Sequence, residues 1–237
     1  MRRGRWSVTP FIWAHRGASL RAPENTMAAF SLAADSAVDG IECDVHLSAD
    51  GVPVVIHDET LERTSDGHGP VGKLTLAELR RLDAGGWFGR EWLGEMIPTL
   101  EELLAWTGSE IRVNIEIKSS GAGLAVLDLL QEWPAARVLV SSFDHRLLAA
   151  MRRESPCLPL GFLCESRLWR RSLSRAIDCA AESFHPRVDR LSSAMLRACH
   201  AAGMKVYPWT VDRPDTMRRL LRRGVDGWFT NEPATLF

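Results

Sequence analysis

The stretch "GIECDVHL", Gly40–Leu47, sets two acidic residues inside a run with the apolar make-up of a buried strand. Successive side chains of a strand point to opposite faces, so Glu42 and Asp44 share one face while Cys43 and Val45 share the other. Two carboxylates turned inward without a cation would repel each other and lose hydration, and one would be driven to keep its proton. A hard divalent cation removes that conflict, because carboxylate oxygens are what Mg²⁺ and Ca²⁺ prefer. The other reading of the pair is half of an ion-pair network.

"NIEIKSS", from Asn114, repeats the device: Glu116 and Lys118 lie on one face, Ile115 and Ile117 on the other. Glu116 becomes a third carboxylate ligand, and Lys118 can neutralise an anionic group bound to the same metal. A set made only of carboxylates argues against zinc, whose sites usually include His or Cys. "VPVVIHDE" brings His57 in after an apolar run that can pair back along the 40–46 strand. "WAHRGAS" places His15, Arg16 and Gly17 behind another short apolar run. Arg16 offers a planar fork suited to phosphate oxygens. Histidine titrates near neutrality, so His15 and His57 suit proton transfer. Taken singly, Trp209, Phe143 and Phe162 read as core, and Arg63, Asp66 and His68 as solvated loop residues.

Outward from these motifs the chain alternates. Candidate strands are Phe11–Ala14, Gly40–His46, Arg112–Ile117, Arg137–Ser141, Leu158–Leu163, Glu182–His185, Met204–Thr210 and Gly227–Thr230. Helical stretches at Asn25–Val38, Leu100–Trp106, Gly123–Glu132, Asp144–Arg153, Ser166–Ala176, Ser192–Ala202 and Pro214–Arg223 fall between them, with Thr99, Asp144 and Asp212 marking helix starts. This predicts an α/β fold, a parallel (β/α)₈ TIM barrel, for which about 250 residues is typical. A doubly wound sheet competes, but no glycine-rich dinucleotide loop follows any strand. Residues 59–97, with glycines, aromatics and a short helix at Thr75–Leu82, read as an insertion after the second strand of a single domain spanning 1–237. In such a barrel the reacting groups come from the carboxyl ends of several strands, which is where these motifs fall, together with Ser142, His185 and Asn231.

The 237 residues are 46% hydrophobic and 25% charged, with a net charge of -1, so no basic field draws the chain to nucleic acid or an anionic membrane. The five cysteines form no CxxC pair and suit a reducing compartment. The start "MRRGRWSVTPFIWAHRG" has too short an apolar run for a secretory leader, and nothing approaches the roughly 20 apolar residues that span a bilayer. A cytoplasmic location is the expectation.

"HRGASLRAPENT", "GIECDVHLSADGVPVVIHDETLERTSDGHGPV", "IPTLEELL", "NIEIK", "VSSFD", "VYPWTVD" and "DGWFTNEP" resemble, in order and spacing, the glycerophosphodiester phosphodiesterase family, from about Ile12 to the C-terminus. The resemblance implies a TIM barrel with a small inserted subdomain. It also implies hydrolysis of small-molecule glycerophosphodiesters to glycerol 3-phosphate and an alcohol such as choline, ethanolamine or glycerol. Carried over by motif, His15 and His57 are the acid/base pair, and Glu42, Asp44 and Glu116 hold one Mg²⁺ or Ca²⁺. Arg16 and Lys118 bind phosphate, Trp209 lines the cleft and Asn25 supports the site. Asn231 stands where the family more often has Asp, Asp212 where Asn is common, and Cys43 is an unusual filler between ligands. Two other readings are a lysophospholipase D-type enzyme, for which "AGGWFGREWLG" offers an aromatic lid, and a non-catalytic phosphodiester-binding protein.

Overall fold

The computed structural model describes residues 9–36 and 38–235; the basic start of the chain lies outside them, as does Ala37 of the first expected helix. β1 (Phe11–His15), β2 (Gly40–Leu47), β4 (Arg112–Ile117), β5 (Val138–Ser142), β6 (Leu160–Cys164), β7 (Ser183–Pro186), β8 (Lys205–Val206) and β9 (Gly227–Thr230) pair in parallel, in the order β8-β7-β6-β5-β4-β2-β1-β9. The backbone bonds Phe229 N to Pro208 O (3.0 Å) and Val211 N to Phe229 O (2.9 Å) draw the two ends of this path together into a barrel. β3 (Pro53–Val55) runs antiparallel to β2, with Val55 opposite Val45, so the chain doubles back as its apolar pattern predicts.

Helices α1 (Met27–Ala34), α3 (Leu100–Thr107), α4 (Ala122–Glu132), α5 (His145–Glu154), α6 (Trp169–Asp178), α7 (Ser193–Ala201) and α8 (Pro214–Arg223) cover the outside. Their starts follow side-chain chemistry: Thr99 and Glu102 form a reciprocal capping box on α3, and the Asp144 carboxylate accepts from Arg146 N and Leu147 N on α5. Among the expected boundaries that differ, three bear on the site. Thr26 caps α1, which leaves Asn25 outside the helix at φ 58° and free to face the barrel. Asp212 does not cap α8, because its carboxylate is engaged at the site described below. Of the expected strand Met204–Thr210, Lys205–Val206 forms β8, and the chain beyond stays paired to β7 through Tyr207 N to Phe184 O and Trp209 N to Pro186 O, 3.1 Å each, while Pro208, with no N–H, offers only its carbonyl to Phe229 N.

The alternation along the strands sorts their side chains. Ile12, Ala14, Cys43, Val45, Ile115 and Ile117 pack outward with helix residues such as Phe30, Leu103 and Met151 in the main apolar core. Inward, Trp13, Leu139, Tyr207 and Phe229 fill the lower part of the barrel, Trp13 stacked on Phe229 with ring centroids 5.8 Å apart. Gly40 makes room for this plug, as a Cβ there would lie 2.6 Å from the Trp13 ring. Within residues 59–97, α2 (Leu76–Leu79) and the turns around it bury Leu61, Val71, Leu79, Ala84 and Ile97 against Val54 and Ile56 in a separate cluster. Among the described residues no helix is long and apolar enough to cross a membrane.

Candidate active site

Parallel register places the reacting groups at one level: His15 of β1 is the partner of Glu42 on β2, and Asp44 is the partner of Glu116 on β4. Lys118 follows β4 directly. The β3 return, tied by Ile56 N to Asp44 O at 2.9 Å, brings His57 to the same rim. His15, Arg16, Glu42, His57, Glu116, Lys118, Phe143 and Trp209 all line one cleft of about 270 Å³ at the carboxyl end of the barrel. Asn25 is buried, donating through Nδ2 to Asp44 Oδ2 at 2.8 Å and accepting at Oδ1 from Asp44 N at 3.2 Å.

The "HRG" turn has a steric basis. Arg16 and Gly17 both have positive φ, 58° and 81°, and a Cβ on Gly17 would lie 2.6 Å from the carbonyl carbon of Ala29. That turn lets Arg16 N donate to Glu42 Oε2 at 2.9 Å while its guanidinium reaches Glu24 Oε1 (2.8 Å) and lies 3.1 Å from Asp44 Oδ2.

Glu42, Asp44 and Glu116 are buried, and one ligand oxygen from each lies within 4.8 Å of the others. Burial, then Asp44 and Glu116, push the Glu42 carboxyl well above the usual range. Burial and Asp44 lift Glu116 to about 7 against the pull of Lys118, whose Nζ donates to Glu116 Oε1 at 2.7 Å. Burial also works to raise Asp44, but Arg16 and Lys118 outweigh it and hold that carboxyl below its ordinary value. Glu42 Oε1 and Asp44 Oδ1 are buried without a hydrogen-bond partner. Clustered, oxygen-only and partly orphaned, these groups fit a hard divalent cation, which would satisfy the free oxygens and relieve the repulsion.

Both histidines have one ring nitrogen tied and the other free. Asn231 donates through Nδ2 to Asp212 Oδ2 at 2.9 Å, which turns its Oδ1 toward His15 Nδ1, 2.7 Å away. His15 Nδ1 therefore carries the proton, and Nε2, 4.0 Å from Glu42 Oε2, presents its lone pair to the cleft. Burial and Arg16 push the His15 imidazolium down to about 4. His57 Nδ1 is 2.6 Å from Asp58 Oδ1, and burial lowers its pKa as well.

The site adds residues that sequence reasoning left aside. Arg63, expected to be a solvated loop residue, binds Glu24 and Asp58 and so joins the network behind Arg16 and His57. Phe143, expected in the core, is 42% exposed and packs edge-on against Trp209 at the cleft, while Phe162 is fully buried as expected. His185 is fully buried against the rings of Tyr207 and Phe229, hydrogen-bonded to Ser183 Oγ at 2.8 Å, and a Cβ at Gly161 would strike its ring. Asp212 and Asn231, the two departures noted in the sequence, bond to each other, so the pair still holds one carboxylate and one amide. Their partnership was foreshadowed only by the reciprocal nature of the two changes.

The sequence model of the glycerophosphoryl diester phosphodiesterase family matches residues 15–235. A glycerophosphodiester phosphodiesterase of Caldanaerobacter subterraneus subsp. tengcongensis is 42% identical over 235 residues, covering 95% of each chain. One from Bacillus subtilis is 33% identical over 246 residues, covering 93% of this chain and 83% of the relative. A phosphodiesterase of Oleispira antarctica, solved with the product sn-glycerol-3-phosphate, superposes with a TM-score of 0.89 at 32% identity, covering 96% of this chain and 95% of its own. The match takes in the barrel from its first histidine to its last turn, and by it the chain belongs to the glycerophosphoryl diester phosphodiesterase family.

Proposed function

We propose that the chain hydrolyses glycerophosphodiesters, such as glycerophosphocholine or glycerophosphoethanolamine, to glycerol 3-phosphate and an alcohol, with His15 and His57 as its acid/base pair. The observation that carries this reading is that both histidines, each held at Nδ1, line the same cleft as Glu42 and Glu116. The product bound by the Oleispira relative supports the substrate class. Arg16 and Lys118 bind and orient the phosphate oxygens. His15, neutral at pH 7 because burial and Arg16 hold its pKa near 4, has Nε2 ready to take a proton from the nucleophile, either water or the 2-hydroxyl of the glycerol. His57, neutral with its proton on Nδ1 at rest, takes up a solvent proton at Nε2, where the Asp58 carboxylate on Nδ1 stabilises the imidazolium, and passes that proton to the leaving alkoxide. Glu42, Asp44 and Glu116, with Asn25 holding Asp44, are the ligands for one Mg²⁺ or Ca²⁺, whose contribution is Lewis-acid polarisation of the phosphoryl oxygens. Trp209 and Phe143 shape the alcohol end of the cleft.

In the same reading the chain is one domain with residues 59–97 inserted, and it consumes deacylated phospholipid headgroups in the cytoplasm, a compartment that suits five free thiols. A lysophospholipase D-type preference is the second reading, favoured by the exposed side chains of Trp87, Leu93 and Met96 in the inserted segment. The deciding experiment measures glycerol 3-phosphate release from glycerophosphocholine with Mg²⁺, with Ca²⁺ and with chelator, beside turnover of lysophosphatidylcholine. Metal-dependent release establishes the reading. Turnover of the acylated substrate alone selects the second, and binding without turnover of either refutes both.

A further inference from the structure

Residues 59–97 reach the site through the side chain of Arg63. Its Nε and Nη2 donate to the two Asp58 oxygens at 2.5 and 3.1 Å, and its Nη1 and Nη2 donate to the two Glu24 oxygens at 2.8 Å each. Asp58 in turn holds His57 Nδ1 at 2.6 Å, and Glu24 holds Arg16 Nη1 at 2.8 Å. We propose that Arg63 is a positioning residue for the hydrolytic reaction, acting on His57 through Asp58 and on Arg16 through Glu24.

The inference rests on the roles given to His57 and Arg16 above, and three observations carry it. An aspartate one residue from its histidine has a short, mobile side chain; with both oxygens gripped by a rigid fork it can present Oδ1 to Nδ1 in one orientation. Glu24, held on one side by Arg63, becomes a fixed anchor for Arg16 instead of a surface carboxylate free to follow it. The clasp is also not what fastens residues 59–97 to the barrel. That work falls to the cluster of Leu61, Val71, Leu79, Ala84 and Ile97 with Val54 and Ile56, whereas the Arg63 side chain is 43% exposed, where ion pairs add little to stability.

The test compares wild type with Arg63→Ala, Arg63→Lys, Asp58→Asn and the Asp58→Asn/Arg63→Ala double variant. Without substrate, nitrogen–proton correlation NMR of the histidine rings should show His57 as the Nδ1–H tautomer in wild type and as a mixture of tautomers in Arg63→Ala. In turnover of glycerophosphocholine, Arg63→Ala should lose about 10–100-fold in kcat, the scale of a misplaced acid/base group. Its KM should rise several-fold through the Glu24–Arg16 branch, while its melting temperature stays near that of wild type. Arg63→Lys, a point charge able to serve one carboxylate at a time, should recover one of the two parameters and not both. The double variant should fall no more than about 3-fold below Asp58→Asn alone in kcat, because the two changes cut the same branch. An unchanged tautomer with unchanged kcat and KM, or effects that multiply in the double variant, would overturn the proposal. A wild-type protein that turns over no glycerophosphodiester refutes the functional reading instead, and the tautomer comparison then still decides whether Arg63 orients His57.

Discussion

Replacing Glu116 with glutamine should stabilise the metal-free protein and at the same time abolish stabilisation by a divalent cation. Glu116 is 7% exposed, and burial with the Asp44 charge lifts its carboxyl from an ordinary 4.5 to about 7. The folded chain therefore holds this proton to higher pH than the unfolded chain does. Its contribution is fully present below about 4.5 and is lost as pH rises through about 7. At roughly 1.4 kcal/mol per pH unit, the ionised group costs the folded state about 3 kcal/mol above that range. Glutamine has nearly the same shape, cannot ionise, and keeps an oxygen for Lys118 Nζ, now 2.7 Å from Glu116 Oε1. In chelator at pH 8, Glu116→Gln should then melt about 6–12 °C above wild type, at 2–4 °C per kcal/mol for a chain of this length. The gap should close as the pH approaches 4.5. With cation at 100 times its Kd, wild type should gain about 2.7 kcal/mol and the variant almost nothing. Scanning calorimetry across pH, with and without Mg²⁺ or Ca²⁺, reads both effects. A variant that melts at or below wild type in chelator throughout, or that gains as much from cation, would refute the reasoning.

Three further outcomes are expected. His15→Ala and His57→Ala should each lower kcat by ~10²–10⁴ with the fold intact by circular dichroism, and near wild-type turnover would remove that residue from the mechanism. Asn231→Asp should set two carboxylates against each other, since Asn231 Nδ2 now donates to Asp212 Oδ2 at 2.9 Å; Asn231→Asp/Asp212→Asn should restore one charge and one amide. In that double variant the carboxylate faces His15 Nδ1 and raises its pKa from about 4 by ~1–3 units, so activity at pH 5 falls and the acid limb of the kcat/KM profile moves upward. An unmoved limb would show that His15 is not the base. Gly17→Ala should destabilise by about 1–3 kcal/mol in urea unfolding, because its φ of 81° and the 2.6 Å approach to Ala29 leave no room for a methyl group.

The parts of the fold legible in the sequence are those that depend on neighbours along the chain. Period-two alternation in "GIECDVHL" and "NIEIK" identified both the strands and the inward face, and parallel register did the rest by setting Asp44 beside Glu116. Local chemistry likewise placed the starts of α3 and α5. What escaped are partnerships across long separations. Arg63 lies 39 residues from Glu24, and nothing near it in sequence tells a site arginine from a solvated one. Asp212 has the residue type of a helix cap and sits before Pro214, but its strongest available donors, Asn231 N and Nδ2, belong to a strand end that arrives only when the barrel closes. Phe143 has the composition of core and the position of a rim, and only the rim position, one residue past β5, predicts its exposure.

The apolar plug of Trp13, Leu139, Tyr207 and Phe229 governs how the cleft is reached. It closes the barrel below the cleft, so what the site takes in and what it releases pass the same rim beside Phe143 and Trp209. Among the described residues the lower barrel is filled by this plug, which leaves the rim as the way in and out. Glycerol 3-phosphate still seated on Arg16 and Lys118 would therefore hold the next diester out of both the phosphate site and its approach.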